Sequence, residues 1–184
     1  MNGAVDLDAI PRNEAGFASV SAIRREGRVM DSALTSPALV VVDAAGGGSE
    51  NAEDDLDHRS TMDADSVTRP AADFDLAYQN TLAFLVKRPG NPFPQMISVG
   101  RAANSDIVLA LGPISKVHGY FLKGLDGDWS VVDQRSRNGI FLNQQRLEPG
   151  QQHPVKDGDT IRFGEEVTFE LMFPEALLKF LRGG

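Results

Sequence analysis

The 184-residue sequence has no cysteine, which excludes disulfide frameworks, thiolate metal sites and thiol catalysis and fits a reducing compartment. It has no run of 18 apolar residues, so no membrane-spanning helix is expected. The first residues include Asp6 and Asp8, with neither a basic start nor an apolar stretch, so no secretory leader is expected either. A soluble, cytoplasmic protein is the resulting expectation. Positive charge is also scarce: 18 Lys and Arg stand against 26 Asp and Glu, a net charge of -8. Binders of nucleic acid or anionic membrane need a basic face to exchange counterions, so neither partner is expected. The length allows one ordinary domain and a tail, and scarcely two domains.

The acidity is unevenly placed. Residues 1–70 hold 6 Lys and Arg against 13 Asp and Glu, whereas residues 71–184 hold 12 against 13. Between Ala44 and Asp75 the chain is dense in Gly, Asp, Glu and Ser and almost without large apolar side chains. Such a segment cannot bury enough surface to offset its ordering entropy. Upstream, Phe17, Val20 and Ile23 hint at a short amphipathic turn, and Ala38 to Val42 is one brief apolar run; neither is long enough to be a domain. Residues 1–75 are therefore expected to be a disordered acidic N-terminal tail.

From Leu76 onward short apolar or alternating runs are separated by turn residues, the pattern of an antiparallel all-β domain over 76–173. The runs are TLAFLVKR (81–88), MISVGR (96–101), DIVLAL (106–111), VHGYFLKG (117–124), WSVVDQ (129–134), IFLN (140–143), QRL (145–147), TIRFG (160–164) and VTFELMF (167–173). Strands this short and this evenly spaced suggest a β-sandwich. The end of the chain, 174–184, opens on a Pro suited to a first helical turn and places Leu177, Leu178 and Leu181 on one face. A short C-terminal helix packed on the sandwich is expected.

Three loops carry polar residues that a purely structural β-domain would not need in this arrangement. Gly100-Arg101 ends one strand, Ser115-Lys116-Val117-His118 begins another, and Ser136-Arg137-Asn138-Gly139 links two more, followed by Asn143. Loops of a sandwich cluster at its ends, so residues distant in sequence converge there. Singly, each residue has an ordinary use: Gly100 and Gly139 in turns, Arg101 in a surface ion pair, Ser115 as a local cap. Together, Gly-Arg, Ser-x-x-His and Ser-x-Asn-Gly in this order over about residues 80–173 resemble the forkhead-associated (FHA) family, whose members recognise phosphothreonine peptides without altering them.

That resemblance implies a role for each position. Arg101, a planar and permanently charged fork, is the expected main phosphate ligand. Ser115 adds a hydroxyl donor and Lys116 a flexible charge. Asn138 presents an acceptor and donors on one amide and is expected to hold the peptide main chain. Arg137, with Arg135, is placed to contact phosphate or acidic ligand residues. His118 is implied to be architectural, tying the loops through its ring nitrogens; Gly100, Ser136, Gly139 and Asn143 are taken as loop-structural. The chain departs from the family in having Ile140 after Asn138-Gly139 and Gln144 after Asn143, which bears on ligand choice more than on fold.

Other classes fit less well. Ser115, His118 and Asp133 are the residue types of a hydrolase triad, but no Gly-x-Ser-x-Gly elbow is present, and Ser and His three apart on a strand would face opposite ways. His58, His118 and His153 lie in unrelated settings, and the Asp157-Gly158-Asp159 turn has Thr168 where a calcium loop needs its bidentate Glu. No catalysis, cofactor or metal is expected. The expected role is an adaptor in Ser/Thr-kinase signalling, its partner a phosphothreonine protein such as the kinase or its substrate; a phosphate-independent scaffold is the alternative. Thr35, Thr61 and Thr68 are candidate phosphosites whose dianion could dock on the chain's own Arg101.

Overall fold

The computed structural model describes residues 12–13, 16–26, 36–43, 80–89, 91, 95–165 and 167–183. Buried and half-exposed residues alternate along Thr160–Phe163 and Val167–Met172, as strands with one face on a core require. In chain order the elements are β1 (Ala18–Ser19), α1 (Val20–Glu26), β2 (Ala38–Asp43), β3 (Thr81–Phe84), β4 (Met96–Gly100), β5 (Ile107–Val108) and β6 (Gly119–Lys123). There follow β7 (Trp129–Asp133), β8 (Ile140–Leu142), β9 (Gln145–Arg146), β10 (His153–Val155), β11 (Thr160–Phe163), β12 (Val167–Met172) and α2 (Pro174–Leu181). They make two sheets, of order β1-β3-β2-β12-β11-β8-β9 and β10-β7-β6-β4-β5. The pairings are antiparallel except for β4 with β5.

The sheets face one another across one core. Leu39, Val99, Phe121, Val131, Ile140, Ile161, Phe163, Phe169 and Leu171 belong to it, with Phe163 edge-on to Phe169 and Phe169 stacked on Phe17. The larger sheet has a second apolar layer on its outer side, where Val20 and Ile23 of α1 and Leu177 and Leu181 of α2 cover Ala38, Val40, Leu82 and Phe84. Strands β2 and β3 thus bury both faces, which is why ALVVV and TLAFL read as continuous apolar runs rather than alternating ones. Leu178 of α2 is only half-buried. Arg24 of α1 joins the helices by donating to the carbonyl oxygens of Leu181 (3.2 Å) and Phe180 (2.6 Å), which satisfies acceptors that a helix end leaves open.

The domain boundary moves as a result. An expected start at residue 76 leaves Ala38–Asp43 outside, yet β2 lies inside the larger sheet, paired with β12 on one side and β3 on the other. Phe17, Val20 and Ile23 are likewise core residues. Strand β10 was not among the expected runs. It lies on the edge beside β7, where Pro154 costs little because an edge strand has amides that need no partner. Among the described residues no helix is long and apolar enough to cross a membrane.

Candidate functional site

Three loops at one end of the sandwich are stitched together by backbone hydrogen bonds. The Arg101 N–H donates to the Ser115 carbonyl (2.9 Å), that of Ala102 to Lys116 (3.1 Å) and that of His118 to Val99 (2.9 Å). Gly100 permits this closeness: a Cβ there would lie 2.3 Å from the Lys116 carbonyl oxygen. The Arg101 guanidinium is braced by its Nε donating to the Ile114 carbonyl (3.1 Å), leaving its two terminal amino groups for another acceptor.

The third loop is built on Asp133, fully buried at the end of β7. Its Oδ1 accepts from the Ser136 N–H (2.7 Å) and its Oδ2 from the Ser136 hydroxyl (2.8 Å), while the Ser136 Oγ accepts from the Gly139 N–H (3.0 Å). This closed turn presents Arg137 and Asn138. The Arg137 N–H donates to the Ser115 Oγ (3.1 Å), and the Asn138 Nδ2 donates to the Pro113 carbonyl (2.8 Å). Ser115 keeps its hydroxyl hydrogen to donate. Asn138 keeps its Oδ1 acceptor and a second amide hydrogen. Gly139 has φ +80°, a left-handed conformation that favours glycine, and its N–H and carbonyl are both engaged.

His118 is fully buried beneath these loops. Its Nδ1 accepts from the Ser115 N–H (3.1 Å) and its Nε2 donates to the Gly139 carbonyl (3.0 Å), which requires the neutral Nε2-protonated tautomer. Burial lowers its pKa below the ordinary 6.5, against opposing pulls from the Gly139 carbonyl and the Asp133 carboxylate. With both ring nitrogens committed and the Ser115 Oγ accepting from Arg137, these residues form no nucleophile–base pair. The rim of the site is cationic: Lys116, Arg135 and Arg137 are exposed and Arg101 is half-exposed.

The structure thus gathers Gly100, Arg101, Ser115, Lys116, His118, Ser136, Arg137, Asn138 and Gly139 in one place. Asn143 works elsewhere: its Nδ2 donates to the Asp159 Oδ1 (2.9 Å) and its Oδ1 accepts from the Thr160 N–H (2.9 Å). Asn143 and Gln144 take φ of 49° and 71°, the conformation of a tight two-residue hairpin turn. His153 lies on β10. Among the described residues no group of three His, Asp or Glu is placed to hold a metal. Thr35, Thr61, Thr68 and His58 lie outside the described residues. Sequence reasoning missed the turn-closing part of Asp133, for which the Asp-x-x-Ser spacing was the available signal. It also passed over Arg146, whose Nε would lie 2.7 Å from a Cβ on Gly139.

Residues 97–164 match the family model described as FHA domain. That stretch of the chain belongs to the FHA domain family. Curated relatives include the E3 ubiquitin-protein ligase rnf8-A of Xenopus laevis, 34% identical over 76 residues, covering 38% of this chain and 14% of that protein. The E3 ubiquitin-protein ligase DMA2 of Saccharomyces cerevisiae is 38% identical over 55 residues, covering 28% of this chain and 10% of that protein. The chain thus spans 14% or less of the length of these relatives. Among solved structures, the FHA domain of an Arabidopsis thaliana hypothetical protein is 32% identical over 42% of this chain and 66% of its own, with a TM-score of 0.40. The MEK1 FHA domain in complex with the HOP1 pThr318 peptide is 26% identical over 50% of this chain and 87% of its own, with a TM-score of 0.40.

Proposed function

We propose that the FHA domain of this chain is a phosphothreonine-peptide reader serving as an adaptor downstream of a Ser/Thr kinase. What carries the reading is the hydrogen-bonded union of the Arg101, Ser115 and Asn138 loops. Arg101 supplies two guanidinium amino groups for phosphate oxygens, Ser115 a hydroxyl, and Lys116 further charge. Asn138 holds the main chain of an extended peptide through its open acceptor and donor. Arg135 and Arg137 extend the positive rim. The site binds and does no bond chemistry, so its output lies in the proteins it joins. Its place of action is the cytoplasm, in keeping with a cysteine-free chain.

Self-regulation is part of the proposal, through phosphorylation of Thr61 or Thr68, which lie between β2 and β3. Thr35 drops out. It stands three residues before Ala38, a reach of about 10 Å. Ala38 pairs with Met172, at the end of β12 remote from the recognition loops and about 17 Å along the strand from Val167.

The deciding experiment measures binding of the full chain to a phosphothreonine peptide library and to unphosphorylated copies. Phosphate-dependent binding is expected, and Arg101→Ala should weaken it by about 100-fold or more, the equivalent of two charge-assisted hydrogen bonds at ~1.5–3 kcal/mol each. Equal binding of phosphorylated and unphosphorylated peptides would reject the reading and put a phosphate-independent scaffold in its place.

A further inference from the structure

Asn followed by Gly occurs twice in the sequence, at Asn2-Gly3 and Asn138-Gly139, and the second pair lies at the centre of the recognition loops. This dipeptide carries a chemistry of its own, because glycine has no Cβ to shield its nitrogen from the side-chain amide of the residue before it. That nitrogen gives its proton to a solvent base and attacks the Asn Cγ. The N–Cγ bond forms, the Cγ–Nδ2 bond breaks, and Nδ2 leaves as ammonia with a proton taken from water. Water then opens one of the two C–N bonds of the resulting cyclic imide, leaving aspartate or isoaspartate. One water is consumed and one ammonia lost, with no change of oxidation state.

In the folded chain each group that this reaction needs is tied to something else. The Gly139 N–H donates to the Ser136 Oγ (3.0 Å), and the Ser136 hydroxyl is itself held by the Asp133 Oδ2 (2.8 Å). Removing the Gly139 proton therefore breaks the turn. The Asn138 Nδ2 donates to the Pro113 carbonyl (2.8 Å), so any rotation of this side chain breaks a bond to another loop. The Gly139 carbonyl accepts from the His118 Nε2 (3.0 Å) and from the Gly164 N–H (2.9 Å), which pins the main chain on the other side of the reacting nitrogen. Gly139 is buried while Asn138 is half-buried. A solvent base thus meets the Gly139 N–H only when the loop opens.

We propose that Asn138-Gly139 is a deamidation site which the closed Ser136 turn holds latent, so that loop opening converts Asn138 irreversibly to a carboxylate and ends ligand binding. The site itself follows from the dipeptide and its hydrogen bonds. The loss of binding rests on the reading of Asn138 as the residue that holds a peptide beside the phosphate. A carboxylate at this position has no N–H for the Pro113 carbonyl or for a peptide, and its charge opposes an anionic ligand at Arg101 and Ser115. Isoaspartate also lengthens the main chain by one carbon just before Gly139, which spoils the turn. Because the conversion runs one way, the modified fraction records the total time the loop has spent open.

The test incubates the full chain in mildly basic buffer, folded and in denaturing urea, and follows the peptide containing Asn138 by mass spectrometry over days. Conversion should be slower by about tenfold or more in the folded chain, as for a buried amide that reacts only through local opening. Ser136→Ala, which removes the acceptor of the Gly139 N–H, should speed conversion in the folded chain by about two- to tenfold, the weight of one hydrogen bond. If thermal melting shows that variant unfolded, hydrogen exchange of the Gly139 amide in the parent takes its place, and exchange and deamidation should accelerate together as urea rises below the unfolding transition. Equal rates in the folded and unfolded chain, or no conversion in urea, overturns the latent site. The deamidated chain, separated by ion exchange through its added negative charge, and the variant Asn138→Asp should each bind a phosphothreonine peptide about tenfold more weakly than the parent, or worse. Unchanged phosphate-dependent binding overturns the loss of function on deamidation. Absence of phosphate-dependent binding in the unmodified parent overturns the Arg101 reading and that loss with it, while the mass measurements still decide the modification site.

Discussion

At the scale of single residues, His118 is where recognition and stability meet. Its neutral ring accepts from the Ser115 N–H and donates to the Gly139 carbonyl, so one side chain fixes the Ser115 loop to the Asn138-Gly139 loop. A proton on Nδ1 would turn the acceptor into a donor facing the Ser115 N–H. Burial, which lowers the pKa of His118 from 6.5, expresses the same cost. The unfolded chain then binds the proton more readily than the folded one, so unfolding gains ground as the medium is acidified. The contribution of neutral His118 is complete above about pH 6.5 and declines as pH falls below it towards the folded-state pKa. Thermal melting of the full chain between pH 7.5 and 5 should show this decline. His118→Gln should melt lower at pH 7.5, by a loss of about 1–3 kcal/mol for two buried partners left unmatched, and should show a shallower acid decline. An equally steep decline in the variant would move the titration to another group.

At the scale of elements, strand β2 is the one on which the larger sheet turns. Leu39 faces the central core while Ala38 and Val40 face the helices, so β2 joins two apolar layers as well as two neighbouring strands. Leu39→Ala should cost about 2–5 kcal/mol, as for other fully buried leucines, measured by urea denaturation of the full chain. A fragment of residues 76–184 should fail to give a cooperative transition, because it leaves β3 and β12 without the strand between them. A stable fragment would show that β2 is dispensable. The apolar run 38–42 was legible in the sequence, but its place was not: β2 and β3 pair across a long intervening segment, and no local pattern encodes a partner that far away. Strands β8, β11 and β12 were legible because one face is buried and alternation survives. Strand β10 was hidden by Pro154 and by having Val155 as its one buried residue. At the site, Arg101, Ser115 and Asn138 stood out because fixed spacing announces them. Arg146 did not, since its position over Gly139 depends on a hairpin turn that folds β9 back along β8, and any residue of an exposed two-residue strand looks alike in sequence.

At the scale of the whole molecule, charge and connectivity point the same way. Residues 44–79 contain nine Asp and Glu against two Arg. The strand before them ends at Asp43, opposite Thr168, and the strand after them begins at Thr81, two residues along from the Ala83 that pairs with Leu39. Val167 pairs with Phe163 and Phe163 with Ile140, so this end of the sheet is also the end that carries Asn138 and Gly139. The acidic connection therefore leaves and returns at the end of the sheet that carries the site, whose rim includes Arg101, Lys116, Arg135 and Arg137, with Arg146 over Gly139. A segment tethered at both ends has an effective concentration of order millimolar for any contact with that rim, so the proposed self-regulation predicts that it competes with an anionic ligand. Replacing its nine acidic residues with Asn and Gln should strengthen binding of a phosphothreonine peptide by about two- to tenfold, the range that a millimolar competitor with a dissociation constant of 0.1 to 1 mM allows. The gain should shrink as salt rises from 50 to 500 mM, because screening weakens the competitor in the parent chain and has nothing to weaken in the variant. Phosphorylating Thr61 should move affinity the opposite way, adding a dianion to the tethered competitor. Titration calorimetry of the three forms at two salt concentrations separates these effects, and equal affinities in all three would make the acidic connection a bystander.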